Sequence, residues 1–191
     1  MPKLSRPRHP FPYDLLPTLP TFTLISPDLR EGERVADYFT ALHENISPAL
    51  SWSGFPEGTQ SFVVSCIDPD APTPSGWWHW TVVDLDASTT FLAQGAGASD
   101  LMLDGAAFHV RNDSGVHGWS GPYPPADDGD HRYVFAVHAL NVETLGLDDD
   151  ASPGTVAFHV SMHAIARALL TVTYSVSSGQ GAEETALEPL R

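Results

Sequence analysis

The stretch SFVVSCIDPDAPTPSGWWHWTVVDL, residues 61–85, decides how this chain is read. It holds two β-like runs, Ser61–Ile67 and His79–Leu85, each rich in β-branched and aromatic residues. Between them, residues 68–80 carry two aspartates, three prolines, three tryptophans and a histidine. Proline-rich turns between short β runs suit an all-β fold. Asp68 ends the first run and His79 begins the second. If the two strands are neighbours, a carboxylate and an imidazole meet at one rim of a sheet, where rigid scaffolds usually carry their sites.

The rest of the chain fits that frame. Its 191 residues suit one domain with tails, and 42% apolar residues can fill a core. Acidic residues outnumber basic ones 24 to 9, a formal net charge of -15. That balance excludes nucleic acid as partner, because phosphate backbones demand a positive footprint. The single cysteine, Cys66, lies within a β-like run, reads as a buried thiol and allows no intrachain disulfide. No long apolar segment marks a secretory signal or a membrane span, so a cytoplasmic protein is expected.

Residues 1–20 contain six prolines and three of the nine cations, and read as an extended arm. Residues 21–176 form the expected domain. Its candidate strands are Thr21–Ser26, Ala49–Trp52, Ser61–Ile67, His79–Leu85, Ala106–Arg111, His131–Leu140 and Leu170–Val176. Ser152-Pro153 has the form of an N-cap followed by proline at the first helical position. The helix it opens is expected to carry an apolar stripe of Val156, Val160, Ile165 and Leu169, with Phe158, Met162 and Leu170 nearby. Residues 177–191 are polar and read as a disordered tail.

Strand alternation sorts the candidate site residues. One face of His131–Val137 carries His131, Tyr133, Phe135 and Val137, and the other carries Arg132, Val134 and Ala136. His79 is expected to share its face with Thr81, Val83 and Leu85. A Gly/Pro-rich segment, RNDSGVHGWSGPYPP (111–125), lies between the two histidines and is too irregular for a strand. Long loops of this kind tend to be functional, and Gly121 offers a backbone N–H there. Other chemistries fit less well. His79, His131 and Asp68 lack a recognised zinc spacing. His159 and His163 stand four apart, but Ser161 occupies the position of the glutamate in HExxH. No serine sits in a G-x-S-x-G elbow.

These motifs, in order and spacing, resemble the phosphatidylethanolamine-binding protein family, also called Raf kinase inhibitor proteins, and above all its bacterial YbhB/YbcL-like branch. The matching segments are ISPALSWSGFPEGTQSFVVSCIDPDAP (46–72), HWTVVDL (79–85), RNDSGVHGWSGPYPP and HRYVFAVHAL (131–140). The resemblance implies a β-sandwich of two antiparallel sheets with a few peripheral helices, one near the C-terminus. It also implies a small anion pocket for phosphate-type groups such as phosphoethanolamine head groups or phosphorylated side chains. By motif position the pocket would hold Asp68, Asp70, Pro72, His79, Gly121, Pro122, His131 and Tyr133. Arg132 falls on the alternate face and suggests a structural salt bridge. Two departures stand out: Tyr123 replaces the cysteine common in Gly-Pro-Cys-Pro-Pro, and Ala126–Asp130 adds three acids beside the pocket.

The expected function is therefore a non-enzymatic binding protein without cofactor or metal. A kinase or protease as protein partner and a homodimer follow from the resemblance; stable membrane insertion does not. The rival reading is a weak hydrolase or phosphate-handling enzyme using His79 and His131 as acid and base.

Overall fold

A computed structural model describes residues 7–178. Eight strands form two antiparallel sheets. The smaller has the order β1 (Thr23–Ile25), β2 (Leu50–Ser53), β5 (Phe91–Leu92). The larger has the order β6 (Phe108–His109), β4 (Trp77–Asp86), β3 (Ser61–Asp68), β7 (His131–Leu140), β8 (Ala164–Tyr174). Strand β3 is central and buried at all eight positions, which accounts for its continuous apolar run. The inner face of the larger sheet supplies Val64, Cys66, Trp80, Tyr133 and Phe135, which pack against Leu24, Leu50 and Trp52 of the smaller one. The expected two-sheet sandwich is the observed one.

The outer face of the larger sheet is covered twice. One helix, α1 (Pro153–His163), lays Val156 and Val160 on Val63, Val83 and Leu140. Ser152 caps it by accepting the Thr155 N–H at 3.1 Å, with Pro153 next, as the sequence predicts. Beside the helix runs part of the N-terminal arm. Tyr13 packs on Ile67, Val134 and Ala136, and the His9 carbonyl accepts a hydrogen bond from Arg132 at 2.6 Å.

The expected apolar stripe beyond the second turn of α1 is not observed. The helix stops at His163, Phe158 and Met162 are 64% and 66% exposed, and Ile165 and Leu169 belong to β8. From Ala164 the burial alternates, with Ala166, Ala168, Leu170, Val172 and Tyr174 turned inward. Helix propensities of ordinary residues differ by less than about 0.7 kcal/mol each, whereas burying one large apolar side chain contributes about 1.5–3 kcal/mol. Pairing with β7 therefore overrides the local preference of this alanine- and leucine-rich run.

Two register shifts in the β3–β4 ladder matter for the site. Cys66 pairs with Trp80 and Ile67 with Trp78, which leaves His79 as the extra residue of a bulge. A second shift lies between Phe62 and Val64, opposite Asp84, whose φ is +56°. Thr81 and Val83 consequently face the outer side, while His79 is turned inward beside Tyr133 and Trp119. The expectation that His79 shares a face with Thr81 and Val83 fails because the bulge interrupts the two-residue period. Leu85 returns to the inner face after the second shift.

Candidate functional site

The antiparallel register brings the end of β3 and the starts of β4 and β7 to one rim of the larger sheet. There a hollow of about 270 Å3 is lined by Asp68, Pro72, His79, Gly121, His131 and Tyr133, among others. Six of the eight expected site residues thus meet in one place. Asp70 and Pro122 do not line it. Asp70 lies in a neighbouring polar hollow with Arg8, His9, Asp128 and Asp130, which His131 also borders. Its carboxylate accepts the Arg132 backbone N–H at 3.0 Å, Nε at 2.7 Å and Nη2 at 2.7 Å. Burial pushes the Asp70 carboxyl up, but Arg132 and then Arg8 more than offset this and hold it below its usual range. Pro122 turns its carbonyl to the Ala41 N–H at 3.2 Å.

His131 is 2% exposed and lies between two carboxylates. Nδ1 donates to Asp68 Oδ2 at 2.7 Å, and Nε2 donates to Asp128 Oδ2 at 3.1 Å. Since ionised carboxylates only accept, this arrangement favours protons on both ring nitrogens, the imidazolium form. Burial opposes that charge, yet Asp68 and Asp128 together outweigh it and raise the pKa. Asp68 is itself oriented, because its Oδ1 accepts the Asp70 N–H at 2.7 Å in an Asx turn of the DPD segment.

His79 is the opposite case. Its Nδ1 donates to the Ser120 carbonyl at 2.5 Å, and the ring meets Tyr133 edge-on at 5.1 Å between centroids. Burial lowers its pKa, and the Ser120 carbonyl, Asp68 and Asp113 do not compensate. The ring is therefore neutral near pH 7, with Nε2 as a hydrogen-bond acceptor. Tyr133 completes the wall. It is fully buried, and among the described residues its hydroxyl has no hydrogen-bond partner. Burial, followed by Asp68, keeps that phenol protonated far above pH 7.

The loop 111–125 is held by Asn112 and Asn45, which no local sequence pattern marks. Asn112 Oδ1 accepts the N–H groups of Ser114 and Val116, and its Nδ2 donates to the carbonyls of His79 and Gly118. Asn45 takes the Gly121 N–H at 2.7 Å, so that donor is already engaged within the protein. Gly121 has no room for a side chain: a Cβ there would come within 2.3 Å of the Phe39 carbonyl oxygen. Tyr123 stands at the mouth, 61% exposed. Among the described residues, no group of three metal-ligating side chains converges to hold an ion.

The described fold and site agree with comparison to known proteins. The family profile described as phosphatidylethanolamine-binding protein matches residues 25–175. The YbhB protein of Escherichia coli is 45% identical over 157 residues, covering 80% of this chain and 99% of its own. The crystal structure of Escherichia coli YbcL, described as a new member of the mammalian family, superposes with a TM-score of 0.77 at 40% identity, covering 82% of this chain and 99% of that one. A homologue from Chlamydia trachomatis superposes with a TM-score of 0.70 at 30% identity, over 81% of this chain and 97% of its own. The chain belongs to the phosphatidylethanolamine-binding protein family, in its bacterial YbhB/YbcL branch.

Proposed function

We propose that this protein binds, without turning over, a phosphate-type anion in the hollow lined by His79, His131 and Tyr133. The observation that carries the reading is the Tyr133 hydroxyl, a buried donor with no partner among the described residues. A buried, unsatisfied polar group costs roughly 1–3 kcal/mol, so a native site that retains one gains by offering it to a ligand. In this reading His131 supplies positive charge. Tyr133 supplies a neutral donor. Neutral His79 accepts from a P–OH group or from the ammonium of phosphoethanolamine. Asp68 orients His131 and keeps it charged.

Asp128 holds the His131 Nε2 edge that a phosphate oxygen would take. A ligand oxygen therefore replaces the Asp128 carboxylate on that nitrogen, which keeps affinity in the roughly micromolar to millimolar range. The same geometry removes His131 as a general base, because a ring with both nitrogens donating to carboxylates has no lone pair; acid–base turnover would have to use His79 as the base. Among the described residues no helix is long and apolar enough to cross a membrane, and the reading is of head-group recognition by a cytoplasmic protein.

Phosphoethanolamine and inorganic phosphate, titrated by calorimetry and NMR, test this. Tyr133→Phe should weaken phosphoethanolamine about tenfold, the value of one good buried hydrogen bond. Absence of saturable binding for both probes, or affinity in the Tyr133→Phe and His131→Gln proteins equal to that of the unaltered protein, overturns the reading. Turnover of phosphoesters that vanishes in His131→Gln would install the enzymatic alternative instead.

A further inference from the structure

A second cavity lies on the opposite face of the larger sheet, away from the rim. It holds about 170 Å3 between the sheet, α1 and the arm segment Pro12–Leu19, and is partly open to solvent. Its walls are largely apolar, with Val63, Ile67, Val156, Val160 and Leu16 among them. Two basic side chains interrupt that lining. His138 and Arg167 are cross-strand partners on β7 and β8, so they stand side by side on one wall. The ring of Tyr13 joins them, 5.7 Å from the His138 ring and 4.5 Å beneath the Arg167 guanidinium.

Both basic groups lack the partners such groups normally have. Among the described residues, the Arg167 guanidinium makes no ion pair, although acids outnumber bases 24 to 9 in the chain. His138 is 6% exposed and its Nδ1 has no hydrogen-bond partner. Arg167 is only partly buried, so water and the Tyr13 ring carry its charge, and a carboxylate is the partner it lacks. A cavity of about 150 Å3 with apolar walls is large enough to take a benzene ring. Volume and lining together therefore specify a ligand with a compact apolar body of about six carbons.

We propose that this chamber is a second ligand site, selective for small monocarboxylic acids whose apolar body fills the cavity and whose carboxylate pairs with Arg167. The planar guanidinium matches a carboxylate through two parallel hydrogen bonds. Neutral His138 donates one further N–H. One cation on the wall calls for a single negative charge. A dianionic phosphate brings a second charge that nothing in the chamber offsets. An alcohol leaves Arg167 unpaired, and an amine is repelled by it. The arm that closes the chamber is tied to the same arginine residue, whose backbone N–H donates to the Pro20 carbonyl at 2.9 Å. Occupancy and arm docking therefore reinforce each other. The inference does not depend on the anion site at the rim.

Hexanoate and phenylacetate, titrated into the full chain and followed by methyl NMR of Val63, Val156 and Val160, test it. Both acids should saturate at millimolar concentration or below, with hexanol and hexylamine at least about tenfold weaker, as expected for loss of a charge-assisted pair. Arg167→Gln should remove that preference while leaving hexanol unchanged, and Arg167→Lys should restore part of it. Ala157→Leu, which fills the chamber from α1, should abolish binding of acid and alcohol alike. Tyr133→Phe should leave hexanoate affinity unaltered, which separates the two sites. Equal affinity for hexanoate and hexanol, shifts centred on the rim residues, or no saturation in the unaltered protein overturns the proposal whether or not the variants fold.

Discussion

Asp128 and His131 are joined by a hydrogen bond of 3.1 Å between the carboxylate and Nε2, on the far side of the ring from Asp68. Asp128 belongs to the acidic insert Ala126–Asp130, whose backbone turns through positive φ at Asp127 and Gly129. The insert thus brings a carboxylate against His131 from the neighbouring hollow and engages the ring nitrogen that the proposed ligand needs. Asp128→Asn keeps an acceptor and removes the charge. It should strengthen phosphoethanolamine binding about threefold to tenfold, the worth of one like charge a few ångströms away in a partly screened site. Calorimetry checks this. Weaker binding in the variant would make Asp128 a support for the ring rather than a competitor.

The two histidines of the site give binding a pH profile with a definite sign. The His131 pKa is raised by its two carboxylates against burial, and that of His79 is lowered by burial. His131 therefore keeps its positive charge to higher pH than His79 does. Affinity for phosphoethanolamine should fall as pH rises through the raised His131 value, above 6.5, and His131→Gln should lose that decline. Stability follows the same sign. The folded pKa of His131 exceeds the unfolded one, so its contribution is full below about pH 6.5 and is lost as pH climbs through the folded value. Denaturant titrations from pH 6 to 9 read this out. A flat profile in the unaltered protein would contradict the charge assignment.

The parts of this arrangement that were legible in the sequence are those with a local period. β7 spans His131–Leu140 as expected, because its inward set (His131, Tyr133, Phe135, Val137) and outward set (Arg132, Val134, Ala136) alternate without interruption. The Ser152-Pro153 start of α1 was legible for the same local reason. Features set by a partner strand were not. The bulge that turns His79 inward exists only in register with Cys66 and Ile67, and no residue at 79 announces it. Asn45 meets Gly121 across 76 positions of sequence. The end of α1 is fixed by pairing with β7, which side-chain propensity cannot foresee. The two-residue strand β5 is too short to show a period. The expected tail, 177–191, lies outside the described residues beyond position 178.

Asp70 offers a test of which DPD aspartate serves the ligand and which the scaffold. It takes three hydrogen bonds from Arg132 at 2.7–3.0 Å and does not line the hollow of His79 and Tyr133. Asp70→Asn leaves a largely buried guanidinium without its counter-charge, and should destabilise the fold by about 3 kcal/mol. Asp68→Asn should instead act on binding, by releasing His131. Urea unfolding and phosphoethanolamine titration on both variants separate the roles. A greater loss of affinity in Asp70→Asn than in Asp68→Asn would return Asp70 to the site.

His138 should make the protein sensitive to acid from the opposite face of the sheet. Burial, and then the neighbouring Arg167, lowers its pKa from 6.5 to about 3. Between those values the unfolded chain takes up a proton that the folded chain refuses, so stability falls as pH drops below 6.5. From pH 7 to pH 5 the cost is on the order of 2 kcal/mol, from about one and a half pH units at 1.4 kcal/mol each. His138→Leu fills the same wall without a titrating group. Its urea stability should therefore decline by about that much less than the unaltered protein's over the same interval. His79 and His109, also lowered by burial, titrate in both proteins and cancel in the difference. Parallel declines would mean that the His138 ring reaches water when protonated, and that the arm and α1 open readily over the chamber.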